Sequence, residues 1–169
     1  MKLDEILRHP EGKTLEYKRD LSSPGPALRT LVAFANAAGG RLIIGVADAS
    51  RAVVGVSQPL DLEERIASLV ADSIEPRLLP EIEIVPWRKL YVVIVTVHPS
   101  ALRPHHLRSE GPARGTYVRL GSTNRAADAA LIGELSRRVG AEGFDEEPLA
   151  DLDSEAIDFG AASQCFAEH

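Results

Sequence analysis

The sequence predicts an α/β (α+β-like) fold, a mixed β-sheet with helices packed on it. Three observations carry that prediction. Stretches with apolar residues at helical spacing alternate with short apolar runs of strand length. Clusters of Gly, Pro, Asp and Ser punctuate them. The chain of 169 residues is long enough to bury one good core without staples, and its lone Cys165 forms no internal disulfide.

The elements follow in order. Leu3, Ile6 and Leu7 share one face of a short opening helix, and Thr14–Lys18 reads as a strand. Ser22–Pro26 is a turn cluster that also starts a helix. Leu28, Leu31, Val32, Ala35 and Ala38 form that helix's apolar face, and Gly39-Gly40 ends it. Residues 41–46 (RLIIGV) read as a buried strand, paired in a hairpin with 52–56 (AVVGV) across a turn at 48–51. Asp61 and Glu64 make a capping box for a helix carrying Leu62, Ile66, Leu69, Val70 and Ile74, stopped by Pro76. Glu81–Val85 alternates like a half-exposed strand, and Leu90–Val97 is its buried partner. His98–Gly115 reads as a long exposed loop, Thr116–Leu120 as a strand and Ala126–Arg138 as the last helix. Ser122, Thr123 or Asn124 would cap that helix.

The formal charge of −6 divides unevenly along the chain. Residues 139–169 hold nine acids and no Lys or Arg, which leaves a net of +3 in 1–138. The chain is therefore read as a domain over 1–138 and an acidic extension over 139–169. Residues 153–167 have helical character, and the extension is expected to lead into a further domain of the same chain. The longest apolar run, Leu90–Val95, is far short of the roughly 20 residues that cross a bilayer. No signal-peptide core opens the chain, and a cytoplasmic location with no membrane partner is expected.

Several motifs fail on spacing. Gly12-Lys13-Thr14 looks like the end of a phosphate-binding loop, but Leu7 stands where that motif needs Gly. A helix also precedes it and a strand follows, the reverse of the motif. His98, His105 and His106 lack metal-ligand spacing and read as loop residues. No G-x-S-x-G or H-E-x-x-H occurs.

Two features point to chemistry. Glu11, Glu16 and Asp48 are three carboxylates at a strand and a strand end, a set able to bind Mg²⁺ or Mn²⁺ if they converge. On an extended strand Glu16 and Lys18 share one face and Tyr17 takes the other. The simpler reading pairs Glu16 with a cation, uses Asp48 in a turn and leaves Glu11 solvated. The second feature is basic. Residues 77–125 carry eight cations against three acids, and seven of the eight are Arg, which grips phosphate bidentately. Arg103, Arg108, Arg114, Arg119, Ser122 and Arg125 are the candidate nucleic-acid contacts.

The motifs together resemble a known family. Glu16-Tyr17-Lys18 resembles the E-[FY]-K strand of the Schlafen AlbA-like family. Residues 33–48 (AFANAAGGRLIIGVAD) are close to its central signature. Ile74-Glu75-Pro76 resembles its I-x-P step, and residues 117–123 (YVRLGST) its closing Y-x-R-x-G-S segment. The resemblance covers roughly residues 8–138. It implies a nucleic-acid-binding module, with DNA favoured over RNA, at the N-terminus of a prokaryotic transcriptional regulator. No cofactor is expected for that role, and a homodimer is. The family's vertebrate branch includes metal-dependent endoribonucleases, and their acidic positions fall on Glu11, Glu16 and Asp48 here. The alternatives are thus an endoribonuclease using Mg²⁺ or Mn²⁺, and a protein-interaction or dimerisation module.

Overall fold

The structure, a computed structural model, describes residues 3–48 and 50–140. The nine acids of the extension, the helical stretch expected at 153–167 and Cys165 lie outside the described residues.

A four-stranded mixed sheet organises the chain. Its strands are β1 (Leu15–Lys18), β2 (Gly40–Ile44), β4 (Glu81–Trp87) and β5 (Leu90–Val97), in the order β1-β2-β5-β4. β1 and β2 run parallel, with Glu16 opposite Leu42 and Lys18 opposite Ile44. The other pairs are antiparallel. Two helices, α2 (Pro24–Ala35) and α3 (Pro59–Ser73), contribute Leu31, Phe34, Ile66 and Val70 to the core on one face of the sheet. Leu42, Ile44, Val93 and Val95 meet them from the strands. The short helix α1 (Leu3–Leu7) adds Leu3 and Ile6 to Tyr17, Ile43, Val92 and Ile94 on the opposite face. The alternation along each strand divides its residues between two cores, as period-2 geometry requires.

The remaining elements frame the first face. β3 (Ile74–Glu75) pairs with β6 (His106–Leu107), followed by the single turn α4 (Pro112–Gly115). β7 (Tyr117–Leu120) and β8 (Thr123–Ala126) form a hairpin, and α5 (Ala129–Gly140) closes the described chain. Among the described residues, no helix is long and apolar enough to cross a membrane.

The segment Asn36–Gly40 turns α2 into β2. Gly39 has φ +76°, and a Cβ there would lie 2.6 Å from the Val97 carbonyl oxygen. A Cβ on Gly40 would press the Phe34 ring at 2.7 Å. Two glycines are therefore what lets α2 pack directly over the sheet.

Four local expectations are corrected. Residues 52–56 do not form a hairpin with β2; only the bridge between Val46 and Val53 remains. β1 and β5 already occupy both edges of β2. The Asp61–Glu64 capping box is not built, because Pro59, preset for a first helical turn, starts α3 with Gln58 at the N-cap. Ser122, Thr123 and Asn124 cap no helix: they belong to the β7–β8 hairpin and its turn. Asp128 does the capping instead, its Oδ1 accepting the Leu131 N–H at 2.8 Å. Finally, His98–Gly115 is not a wholly exposed loop, since it contains β6 and α4 and buries His105 completely.

Candidate functional site

The three carboxylates sit around the N-terminal strand in different roles. Glu11 folds back over β1, and its Oε1 accepts the Tyr17 N–H at 3.0 Å. Glu16 is buried on the face predicted from strand alternation, with Lys18 beside it and Tyr17 in the other core. One oxygen of Glu16 lies 2.8 Å from Lys18 Nζ, and the other takes the Arg119 guanidinium. Asp48, half-exposed, lies 3.3 Å from the same Lys18 ammonium. Burial alone would lower the Lys18 pKa. The hydrogen bond to Glu16 and the charges of Glu16 and Asp48 outweigh it and hold the pKa above the ordinary lysine value.

This arrangement does not fit a divalent metal. Lys18 Nζ bridges Glu16 and Asp48, while Glu11 is engaged with the β1 backbone. Among the described residues, no group of three or more His, Cys, Asp or Glu is placed to hold an ion. In this arrangement Lys18 and Arg119 meet the charges of Glu16 and Asp48.

The basic candidates divide by burial. Arg119 is withdrawn from solvent, with its side chain 1% exposed. Besides Glu16, it donates to the Gly12 carbonyl at 3.1 Å, the Leu15 carbonyl at 3.4 Å and Asn124 Oδ1 at 2.8 Å. Its guanidinium also lies 5.3 Å from the centre of the Phe34 ring. It is a structural clamp between β7 and the start of β1, and no phosphate reaches it. Arg103 is half-buried, and its Nε lacks a partner among the described residues. Arg108 is exposed, with Glu75 at 3.9 Å. Arg114 on α4, Ser122 in the hairpin turn and Arg125 on β8 are all exposed. Arg29, on α2, pairs with Glu110 at 2.9 Å, and Tyr117 donates to the same carboxylate at 2.6 Å. Those two bonds hold the Glu110 pKa below the usual range.

Two polar residues whose distant partners sequence reasoning did not foresee hold this region in place. Asn36, at the end of α2, donates to the carbonyls of His105 and Tyr117 and accepts the His105 N–H at 2.7 Å. Asn124 accepts from Arg119 and donates to Thr30 Oγ1 at 2.8 Å. Asn36 stands at a helix end before a Gly pair, a position that signals a turn bond but not the distant strand it binds. Asn124 signals a local cap and not its actual partner Thr30, 94 residues away in the chain.

The family model described as Schlafen, AlbA_2 matches residues 11–128. Among solved structures, the chain is similar to the N-terminal domain of a protein from Nitrosomonas europaea whose name relates it to the ATP-dependent DNA helicase RecG. The identity is 26% and the TM-score 0.56, over 74% of this chain and 90% of that domain. The DIP2311 protein of Corynebacterium diphtheriae is similar at 18% identity and TM-score 0.55, a likeness of fold alone. That match covers 80% of this chain and 27% of the DIP2311 chain. No curated protein matches.

Proposed function

The chain belongs to the Schlafen AlbA_2 family, and on that premise we propose that it is a nucleic-acid-binding domain. The observation that carries this reading is the surplus of exposed Arg. Arg108, Arg114 and Arg125 stay exposed on the 77–125 stretch after Arg119 is taken inside. The likeness to a domain of a RecG-related protein supports the same reading. Within a longer chain such a domain would hold a transcriptional regulator on DNA in the cytoplasm, as a homodimer joined to a C-terminal domain.

Phosphate contacts make affinity fall steeply with salt, by a slope of about −0.9 per neutralised phosphate on duplex DNA. The full chain is expected to bind labelled duplex DNA in fluorescence anisotropy with that dependence. Arg114→Gln/Arg125→Gln is expected to flatten the slope by about two units. A chain that binds no DNA or RNA at low salt would remove the reading. The nucleic-acid-binding reading is preferred to the endoribonuclease alternative, since Lys18 pairs with both Glu16 and Asp48.

A further inference from the structure

We infer that the Gly12–Leu15 turn and Arg41 form a cationic groove that takes the sugar–phosphate backbone of a nucleic acid, an assignment that rests on the nucleic-acid reading above. The phosphate-loop lookalike at Gly12-Lys13-Thr14 thus contributes a cation at a place with no nucleotide motif.

Two depressions meet at this corner. One, of about 240 Å³, is bordered by His9, Lys13, Thr14 and Arg41. The other, of about 250 Å³, is bordered by Thr14, Arg41, Thr96 and His98. Thr14 and Arg41 belong to both, so the two adjoin across the Arg41 side chain. No Asp or Glu lines either one. Lys13 is exposed and Arg41 half-buried, and neither forms an ion pair among the described residues. Glu81 lies 3.2 Å from His98 at the far end, while Glu16 is engaged by Lys18 and Arg119 and Glu11 accepts the Tyr17 N–H.

Size and charge select the occupant. Each depression is smaller than the roughly 300–1,000 Å³ that encloses a small-molecule ligand. A string of shallow, positive dips is the form that tracks a nucleic-acid backbone. A depression elsewhere, of about 500 Å³, is lined by Arg19 and Arg65 but also by Asp20 and Asp61, so the charges on its lining cancel.

The groove is also held in shape before anything binds. The Gly12 N–H donates to the Leu15 carbonyl at 3.0 Å and closes the turn that displays Lys13 and Thr14. The Arg41 N–H donates to the Thr14 carbonyl at 2.9 Å. Arg119 grips the carbonyls of Gly12 and Leu15, on either side of the Lys13-Thr14 tip. A pre-ordered turn avoids the entropy of ordering a loop on binding. Arg119 thereby serves as a positioning residue for a contact it does not make.

The test uses the full chain with labelled single-stranded DNA, duplex DNA and single-stranded RNA, read by anisotropy across a salt series. Lys13→Gln/Arg41→Gln is expected to weaken binding roughly tenfold at low salt and to flatten the salt slope by about two units. Lys13→Gln, at an exposed position, is expected to flatten it by about one and keeps the test open if the double variant melts early. Wild-type affinity and slope in both variants, with the wild type binding and Arg114→Gln/Arg125→Gln impaired, would remove the groove and leave the nucleic-acid reading standing. A wild type that binds none of the three probes would remove both.

Discussion

The guanidinium of Arg119 donates to two backbone carbonyls, an amide oxygen and a carboxylate. A planar fork with five fixed donors satisfies all four at once, and an ammonium does not. Arg119→Lys is expected to lower stability by about 1–3 kcal/mol. Arg119→Met leaves Glu16 with Lys18 alone and is expected to cost about 3–5 kcal/mol, the range for breaking a buried pair. Urea unfolding midpoints check both, and an unchanged midpoint in the Met variant would refute the clamp. Strand alternation already placed Glu16 and Lys18 on one face. It did not reveal that Arg119 was buried, because alternation gives a residue's side and not what later covers that side. The phosphate role expected for Arg119 fell for that reason.

At the scale of elements, the connector from His98 to Thr116 is pinned by His105. Its Nδ1 lies 2.8 Å from the Pro76 carbonyl, which only accepts, so Nδ1 carries the proton. Nε2 then accepts from Ser100 Oγ at 2.6 Å. Burial lowers the pKa of this imidazole. The unfolded chain, with histidine near about 6.5, binds a proton there first as pH falls, while the folded chain stays neutral. The stability His105 contributes is therefore present above about pH 6.5 and lost as pH drops toward the lowered folded value. His105→Asn is expected to remove that part of the acid-side slope in urea midpoints measured from neutral pH downward. A slope identical to wild type would refute it. The same connector shows where sequence signals run out. α2, β2 and β5 announce themselves through long apolar patterns. β6 has two residues and β8 is the polar run TNRA, so neither has a period to read. The turn at 48–51 suggested a local partner for β2, and the more distant β5 won its edge through continuous pairing from Gly40 to Ile44.

Over the whole molecule, the charge of −6 is the sum of +3 over residues 1–138 and −9 from the nine acids beyond residue 138. Those acids add negative charge that repels a polyanion, and such repulsion is screened within about a Debye length. A chain ending at residue 138 is expected to bind DNA more tightly than the full chain at low salt, with the two converging as salt rises. Equal affinity at every salt concentration would refute that repulsion. The split was legible from composition alone. The choice of surface was not, because Lys13 and Arg41 lie far apart in sequence and only the parallel pairing of β1 with β2 brings them together. That pairing and the Arg119 clamp also set an order of events in synthesis. Glu16 and its clamp are 103 residues apart in the chain. A nascent chain displays the first strand long before the β7–β8 hairpin exists, and Glu16 has only Lys18 to meet it until then. Contacts this distant reward folding late. The first strand is thus completed by a hairpin made about a hundred residues later, and a fragment cut ahead of residue 116 would leave Glu16 without the guanidinium that meets it in the intact domain.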